Sequence, residues 1–292
     1  MSDARVPPPR GLLAIFAHPD DESFGSGGML AKYAREGVDV HVCIVTDGAA
    51  GSYAPDPNCP DAPRNMVAVR REELECACRV LGVQLHRLGY RDSGMEGSPE
   101  NHHPESLYQA DLDDVARDVL RLICEIKPQV IVAHDPTGGY FHPDHIRVNH
   151  AVNRAWQALT NPPAYPALLP DNCTPWLPDR LYYGVLPRSS LRWMLLFMRL
   201  TGKDPRHFGR NGDIDMTQVG VPDDKINVRL DIRAYRTIKQ DAGACHCSQG
   251  GGPGRARGIL GLLFRQAQRY ELYMQAYPPN GRKHADLFAG LR

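Results

Sequence analysis

The chain has 292 residues, with 34 Lys plus Arg balancing 34 Asp plus Glu, and a mean hydropathy of −0.41. A chain of this length buries about three quarters of its unfolded surface and needs no staple to form a core. The even charge excludes the basic surplus of a nucleic-acid binder, and 42% apolar with 23% charged residues excludes wholesale disorder. The longest apolar run, residues 191–200, is far short of a spanning helix and is broken by Arg192 and Arg199, so a buried helix and no membrane partner are expected.

Residues 1–10 carry Asp3 and three consecutive prolines without a signal-like apolar stretch, and read as a disordered tail. Eight cysteines in so long a chain read as reduced thiols, with no disulfides. A cytoplasmic location follows from both. Beyond the tail, β-rich runs at 12–17, 38–46, 84–88 and 129–134 alternate with helical patterns at 28–36, 66–81 and 112–126. This βαβα order predicts an α/β, Rossmann-like, mostly parallel sheet with helices on both faces and ligands at the carboxyl ends of its strands.

The segment 161–178 is Pro-rich and aperiodic, a loop or insertion. A strand is expected at 180–186, helices at 189–200 and 232–240, a late strand at 226–230 and a final helix at 260–275; Tyr270, Tyr273 and Tyr277 fall at helical spacing and read as packing residues. Gly250 to Gly254 reads as a mobile loop. The division is thus a single domain over 11–292, with a metal-binding core at 11–160 and a smaller C-terminal elaboration at 161–292 that walls the substrate pocket.

Two clusters carry chemistry. His18, Pro19, Asp20, Asp21 and Glu22 follow the first strand directly, and burying that many acids demands a compensating cation. His142, Pro143, Asp144 and His145 follow the strand that ends at His134, on the same rim of the sheet. His18, one of Asp20 and Asp21, and one of His142 and His145 make the two-histidine, one-carboxylate set of a catalytic zinc with an open position. The other carboxylate is then a general base and the other histidine an oxyanion donor, which is metal-assisted hydrolysis. Each cluster alone also suits an ordinary turn, where Pro fixes φ and Asp caps a helix; two of them at two strand ends make that reading weak. Gly25, Gly27 and Gly28 fit a phosphate loop poorly, since the neighbouring acids would repel it.

The runs A-H-P-D-D-E at 17–22 and H-P-D-H at 142–145 resemble the LmbE-like (PIG-L) zinc N-deacetylases, which remove acetyl from N-acetylglucosaminyl and related amides. The resemblance covers about the first 150 residues and is nearest to the mycothiol-pathway branch, the deacetylase and the S-conjugate amidase. By motif position it implies His18, Asp21 and His145 as ligands of Zn2+ (Fe2+ remaining open), Asp20 as general base, His142 as oxyanion donor and Asp144 as the group that orients a histidine. Tyr140, in Gly138 to His142, falls where that branch has an acid-assisting tyrosine. Arg70 and Asp92 resemble its sugar-binding positions, although a helix-surface ion pair and a turn aspartate are the plainer readings of the two. His246, in the run His246, Cys247, Ser248, Gln249, resembles a C-terminal segment near the active-site mouth. The implied partner is a small amino-sugar substrate; a homo-oligomer is left open. Two rival classes are a non-haem iron oxygenase, whose triad normally sits in an antiparallel barrel, and a catalytically silent carbohydrate-binding protein.

Overall fold

The computed structural model of the chain describes residues 10–53, 65–169, 174–208, 212, 214–251, 269–279 and 281–291. Their order is β1 (Gly11–Phe16), α1 (Asp21–Phe24), α2 (Gly27–Arg35), β2 (Asp39–Thr46), α3 (Met66–Leu81), β3 (Gln84–Tyr90), α4 (Leu112–Ile126), β4 (Val130–His134), α5 (Gly138–Phe141), α6 (Pro143–Thr160), β5 (Arg180–Gly184), α7 (Arg188–Leu200), β6 (Val228–Asp231), α8 (Arg236–Cys245) and β7 (Tyr270–Tyr277). The expected mixed α/β architecture is present as one seven-stranded sheet in the order β3-β2-β1-β4-β5-β7-β6. The strands β3, β2, β1, β4 and β5 run parallel, and β7 is antiparallel to both of its neighbours. The three C-terminal strands therefore extend the same sheet. The helix-free segment at 161–178 contains a single 3-10 turn, Pro162–Ala164, among its described residues.

The central strand β1 is buried from end to end because it has neighbours on both edges and helices on both faces. Leu12, Ala14 and Phe16 pack with α2, α3 and α8, through Leu30, Tyr33, Leu74 and Ala242. Leu13, Ile15 and Ala17 pack with α4 and α6, through Val119, Ile123, Val148 and Val152. Helix α3 starts on Asn65, whose side chain accepts from Ala68 N, and ends at Gly82. Among the described residues no helix is long and apolar enough to cross a membrane.

Two expectations are corrected. Residues 270–277 form the strand β7, where a helix over 260–275 was expected; the remainder of that range, 260–268, lies outside the described residues, as do 1–9 and 252–254. The alternation of β7 is hidden in the sequence because its inward positions are Glu271, Tyr273 and Gln275. Glu271 is satisfied there: it accepts from Gly28 N at 2.9 Å, Met29 N at 2.7 Å and Lys239 Nζ at 2.6 Å. A carboxylate thus already occupies the N-terminus of α2, the place a phosphate would take.

The second correction concerns the cysteines. Cys76 of α3 and Cys245 at the end of α8 form a disulfide with Cα atoms 5.9 Å apart, and Cys124 and Cys247 each take part in a further disulfide. Cys43 and Cys78 are buried free thiols. Disulfides belong to oxidising compartments, so the cytoplasmic expectation loses its cysteine argument. A bond across 169 residues restricts the unfolded chain strongly. Cys76→Ser should lower the unfolding free energy by about 2–5 kcal/mol in a urea titration, and an unchanged midpoint in both Cys76→Ser and the reduced wild type would contradict the bond.

Candidate metal centre and active site

The parallel strands wind outward in opposite directions from the β1–β4 pair, the topological switch point where such sheets bind ligands. The His18 turn leaves β1 there and the 135–145 segment leaves β4. In the first turn Asp21 Oδ2 accepts from His18 N at 2.8 Å and Glu22 Oε2 accepts from Asp20 N at 2.9 Å. Asp20 is left at φ 133°, a conformation normally open to glycine alone, so the surrounding bonds hold it under strain. In the second segment Asp135 Oδ1 accepts from Thr137 N at 2.7 Å, and two left-handed glycines follow. A Cβ on Gly138 would stand 2.9 Å from that of His145, so glycine is required at this approach. His142 then caps α6, its Nδ1 accepting from Asp144 N at 3.2 Å, with Pro143 in the first turn.

Three donor atoms converge between these segments. His18 Nδ1 and His145 Nε2 are 3.0 Å apart, and Asp21 Oδ2 lies 3.6 Å from the first and 3.4 Å from the second. A tetrahedral ion with bonds of about 2.0–2.1 Å sets its ligand atoms about 3.3 Å apart. The opposite ring nitrogens are engaged by acceptors: His18 Nε2 lies 3.2 Å from Asp144 Oδ2 and 3.5 Å from Asp92 Oδ1, and His145 Nδ1 lies 3.1 Å from Gly138 O. Protons on those outer nitrogens leave two lone pairs and a carboxylate facing one point, an arrangement that only a cation relieves. The donor set fits a divalent metal.

The charges follow the same geometry. Burial opposes ionisation of His18, but Asp92, Asp144 and Asp21 outweigh it and hold the ring well above its usual value. Burial pulls His145 well below its own, and burial with the neighbouring His18 takes His142 down to about 3. His142 is therefore neutral; with Nδ1 accepting from the backbone, its proton is on Nε2, which is free to donate. The Asp20 carboxyl is pushed up to about 7 by burial, against the Arg70 guanidinium and with the help of Asp21.

Comparison with known proteins decides the family. Residues 13–156 match the family described as "PIG-L: GlcNAc-PI de-N-acetylase". A 1D-myo-inositol 2-acetamido-2-deoxy-alpha-D-glucopyranoside deacetylase of Thermobifida fusca is 35% identical, covering 96% of this chain and 99% of its own. A protein of the same description from Thermomonospora curvata is 38% identical over 97% of both chains. The chain belongs to the PIG-L family. The PIG-L fold is also that of a solved N,N'-diacetylchitobiose deacetylase from Pyrococcus horikoshii, which matches with a TM-score of 0.59 and 21% identity over 97% of this chain and 86% of that one.

Around these three converging donor atoms the remaining expected residues fall at different depths. Arg70 is buried; Nη2 reaches Asp20 Oδ2 at 3.0 Å and also Pro19 O, and Nη1 donates to Gly48 O at 3.1 Å and lies 3.8 Å from Asp92 Oδ2. It braces the Asp20 turn as well as facing Asp92. Gly48, at φ 70°, lets the backbone close on this guanidinium, which a Cβ would meet at 2.7 Å. Tyr140 rests edge-on against His142 and His145, with ring centroids 5.9 and 5.2 Å away, and burial raises its hydroxyl pKa so that it stays protonated. His246 has no exposed surface: its Nε2 lies 2.7 Å from Glu22 Oε1, so it supports the metal turn from behind. The next residues are tied likewise, with Ser248 N and Oγ each 2.7 Å from the Glu73 carboxylate.

His134 was missed as a site residue. Its ring stacks on His145 at 3.8 Å, and its Nε2 accepts from Ala17 N at 3.0 Å and lies 3.4 Å from Asp21 Oδ2. Its place as the last residue of β4, on the rim already picked out, was the available signal. Asp144 carries the clearest prediction here, because it sets the His18 tautomer and is itself held by Ser93 N at 2.9 Å. Asp144→Ala should weaken metal binding by about 10–100-fold in competition with a chelator; unaltered affinity would remove Asp144 from this role.

Proposed function

We propose that this protein is a zinc-dependent hydrolase that removes the acetyl group from an N-acetylglucosaminyl-type substrate. The observation that carries the reading is the convergence of His18 Nδ1, His145 Nε2 and Asp21 Oδ2 on one point beside a carboxyl, Asp20, poised near neutrality. When bound, the divalent ion supplies a Lewis acid and makes a nucleophile of water at neutral pH. The substrate class rests on the relatives above, whose named substrate is an inositol-linked N-acetylglucosamine.

In this reading Asp20 accepts the proton of the attacking water, and a pKa near 7 lets it give that proton up again. Arg70, 3.0 Å from Asp20 Oδ2, holds the carboxylate in place through the exchange. The neutral His142 donates its Nε2 proton to the amide oxygen as charge develops there, assisted by the positive end of α6, which it caps. The departing nitrogen takes the proton that Asp20 gives up, and the Tyr140 hydroxyl, a donor at neutral pH, stands beside His142 to assist that transfer by a hydrogen bond. Asp92, with Arg70, supplies the polar wall we assign to the sugar hydroxyls. The amide C–N bond breaks and water is divided between the products, acetate and a free amine.

Release of acetate from 1D-myo-inositol 2-acetamido-2-deoxy-alpha-D-glucopyranoside tests this directly. Asp20→Asn should retain its metal and lose about 10²–10⁴-fold in rate. An unchanged rate would refute the assignment of the base.

A further inference from the structure

Helix α7 leaves an apolar stripe in the open. Its inner residues Leu191 and Met198 are buried, and Leu191 joins Met216 and Val219 in a small cluster against which Tyr140, Met194 and Leu195 pack. On the opposite side stand Trp193, Leu196, Phe197 and Leu200, at the spacing that places side chains on one helical face. Their exposures are 76, 47, 59 and 77%. A scattered exposed leucine is ordinary, but four large apolar side chains in one stripe mark a surface that meets something.

The charge around the stripe indicates what. Arg192 and Arg199, two helical turns apart, line one edge of the stripe, and Lys203 and Arg206 follow the helix; all four are exposed. Between 188 and 206 the single acid is Asp204, although the chain as a whole has no net charge. At the other end Asp223 accepts from Ser189 N at 3.1 Å and is stabilised by Arg192, and Arg206 lies 3.5 Å from Asp204 Oδ1, so among the described residues the positive charge not set in an ion pair gathers at Arg199 and Lys203, toward the C-terminal end of α7. A second copy meeting this face through a two-fold axis would bring Arg192 and Arg199 against their own equivalents. An anionic surface is complementary.

We propose that α7 is an interfacial helix that seats on an anionic lipid surface, with Trp193, Leu196, Phe197 and Leu200 entering the headgroup boundary and Arg192, Arg199 and Lys203 meeting lipid phosphates. Trp and Leu on one face with arginine beside them is the composition such helices use. The expectation of no membrane partner concerned spanning segments; a helix of 13 residues is too short to span but lies in the interface without difficulty. Because Tyr140 packs against the inner cluster on the opposite face of the same helix, docking sets the active-site loop one helix diameter, ~10 Å, from the lipid boundary.

Co-sedimentation of the purified full chain with phosphatidylcholine vesicles, with and without phosphatidylglycerol, tests the proposal. Binding should be at least about tenfold stronger with the anionic lipid and should fall as salt rises. The double variant Trp193→Gln, Leu200→Gln should lose binding with an unchanged circular dichroism spectrum. Should that variant misfold, Arg192→Gln with Arg199→Gln, at exposed positions, should drop to the level seen on neutral vesicles. Three results would overturn the proposal: no binding or equal binding to both vesicle types, binding untouched by these substitutions, or a wild-type dimer in gel filtration that the Trp193, Leu200 variant turns into a monomer.

Discussion

Two imidazole lone pairs and a carboxylate oxygen, held within 3.0–3.6 Å of one another, are what the rest of the site is arranged around. Left to themselves these groups repel, and each stays in place because its other side is committed. Asp144 and Asp92 lie against the outer nitrogen of His18, Gly138 O lies against that of His145, and the backbone of His18 itself donates to Asp21. The arrangement makes sense with a divalent cation between them; a raised His18 pKa is the proton's answer to the same demand. The fold supplies the meeting place, since β1 and β4 are neighbours at the switch point and their loops leave on the same rim.

Holding a strained residue such as Asp20 requires support from beyond the turn. Arg70 reaches it from α3, and His246 reaches Glu22 from the segment after α8. That segment is anchored in turn to α3 by the Glu73–Ser248 bonds and the Cys76–Cys245 bridge. The C-terminal region thus acts on the Asp20 turn from underneath, through the buried His246–Glu22 and Ser248–Glu73 contacts. Removal of one partner would leave the other charge buried and unpaired, which costs more than the contact itself contributes.

The parallel core, and the convergence of the two His-Pro-Asp turns on one rim of the sheet, were legible in the sequence for a physical reason. Runs such as 12–17 and 129–134 are nearly all apolar, as fully buried strands must be, and two His-Pro-Asp runs after two such strands are more than ordinary turns require. Where polar residues face inward the signal failed. Glu271 and Gln275 concealed β7, and His246 looked like a group at the active-site mouth although it is fully buried. The pairing of Cys76 with Cys245 could not be read at all, because a separation of 169 residues carries no periodicity. His134 lay in plain view at a strand end, but nothing in its neighbours distinguished a stacked support from a surface histidine. The opposite error occurred at α7, where an apolar composition pointed to burial and half of the helix faces outward.

The metal centre itself is tested most directly by X-ray absorption at the metal edge of the zinc-loaded protein. Two imidazole nitrogens and at least one oxygen are expected at about 2.0–2.2 Å. A shell containing sulfur at about 2.3 Å, or a protein that retains no metal after loading, would contradict the convergence of His18, Asp21 and His145 on one ion.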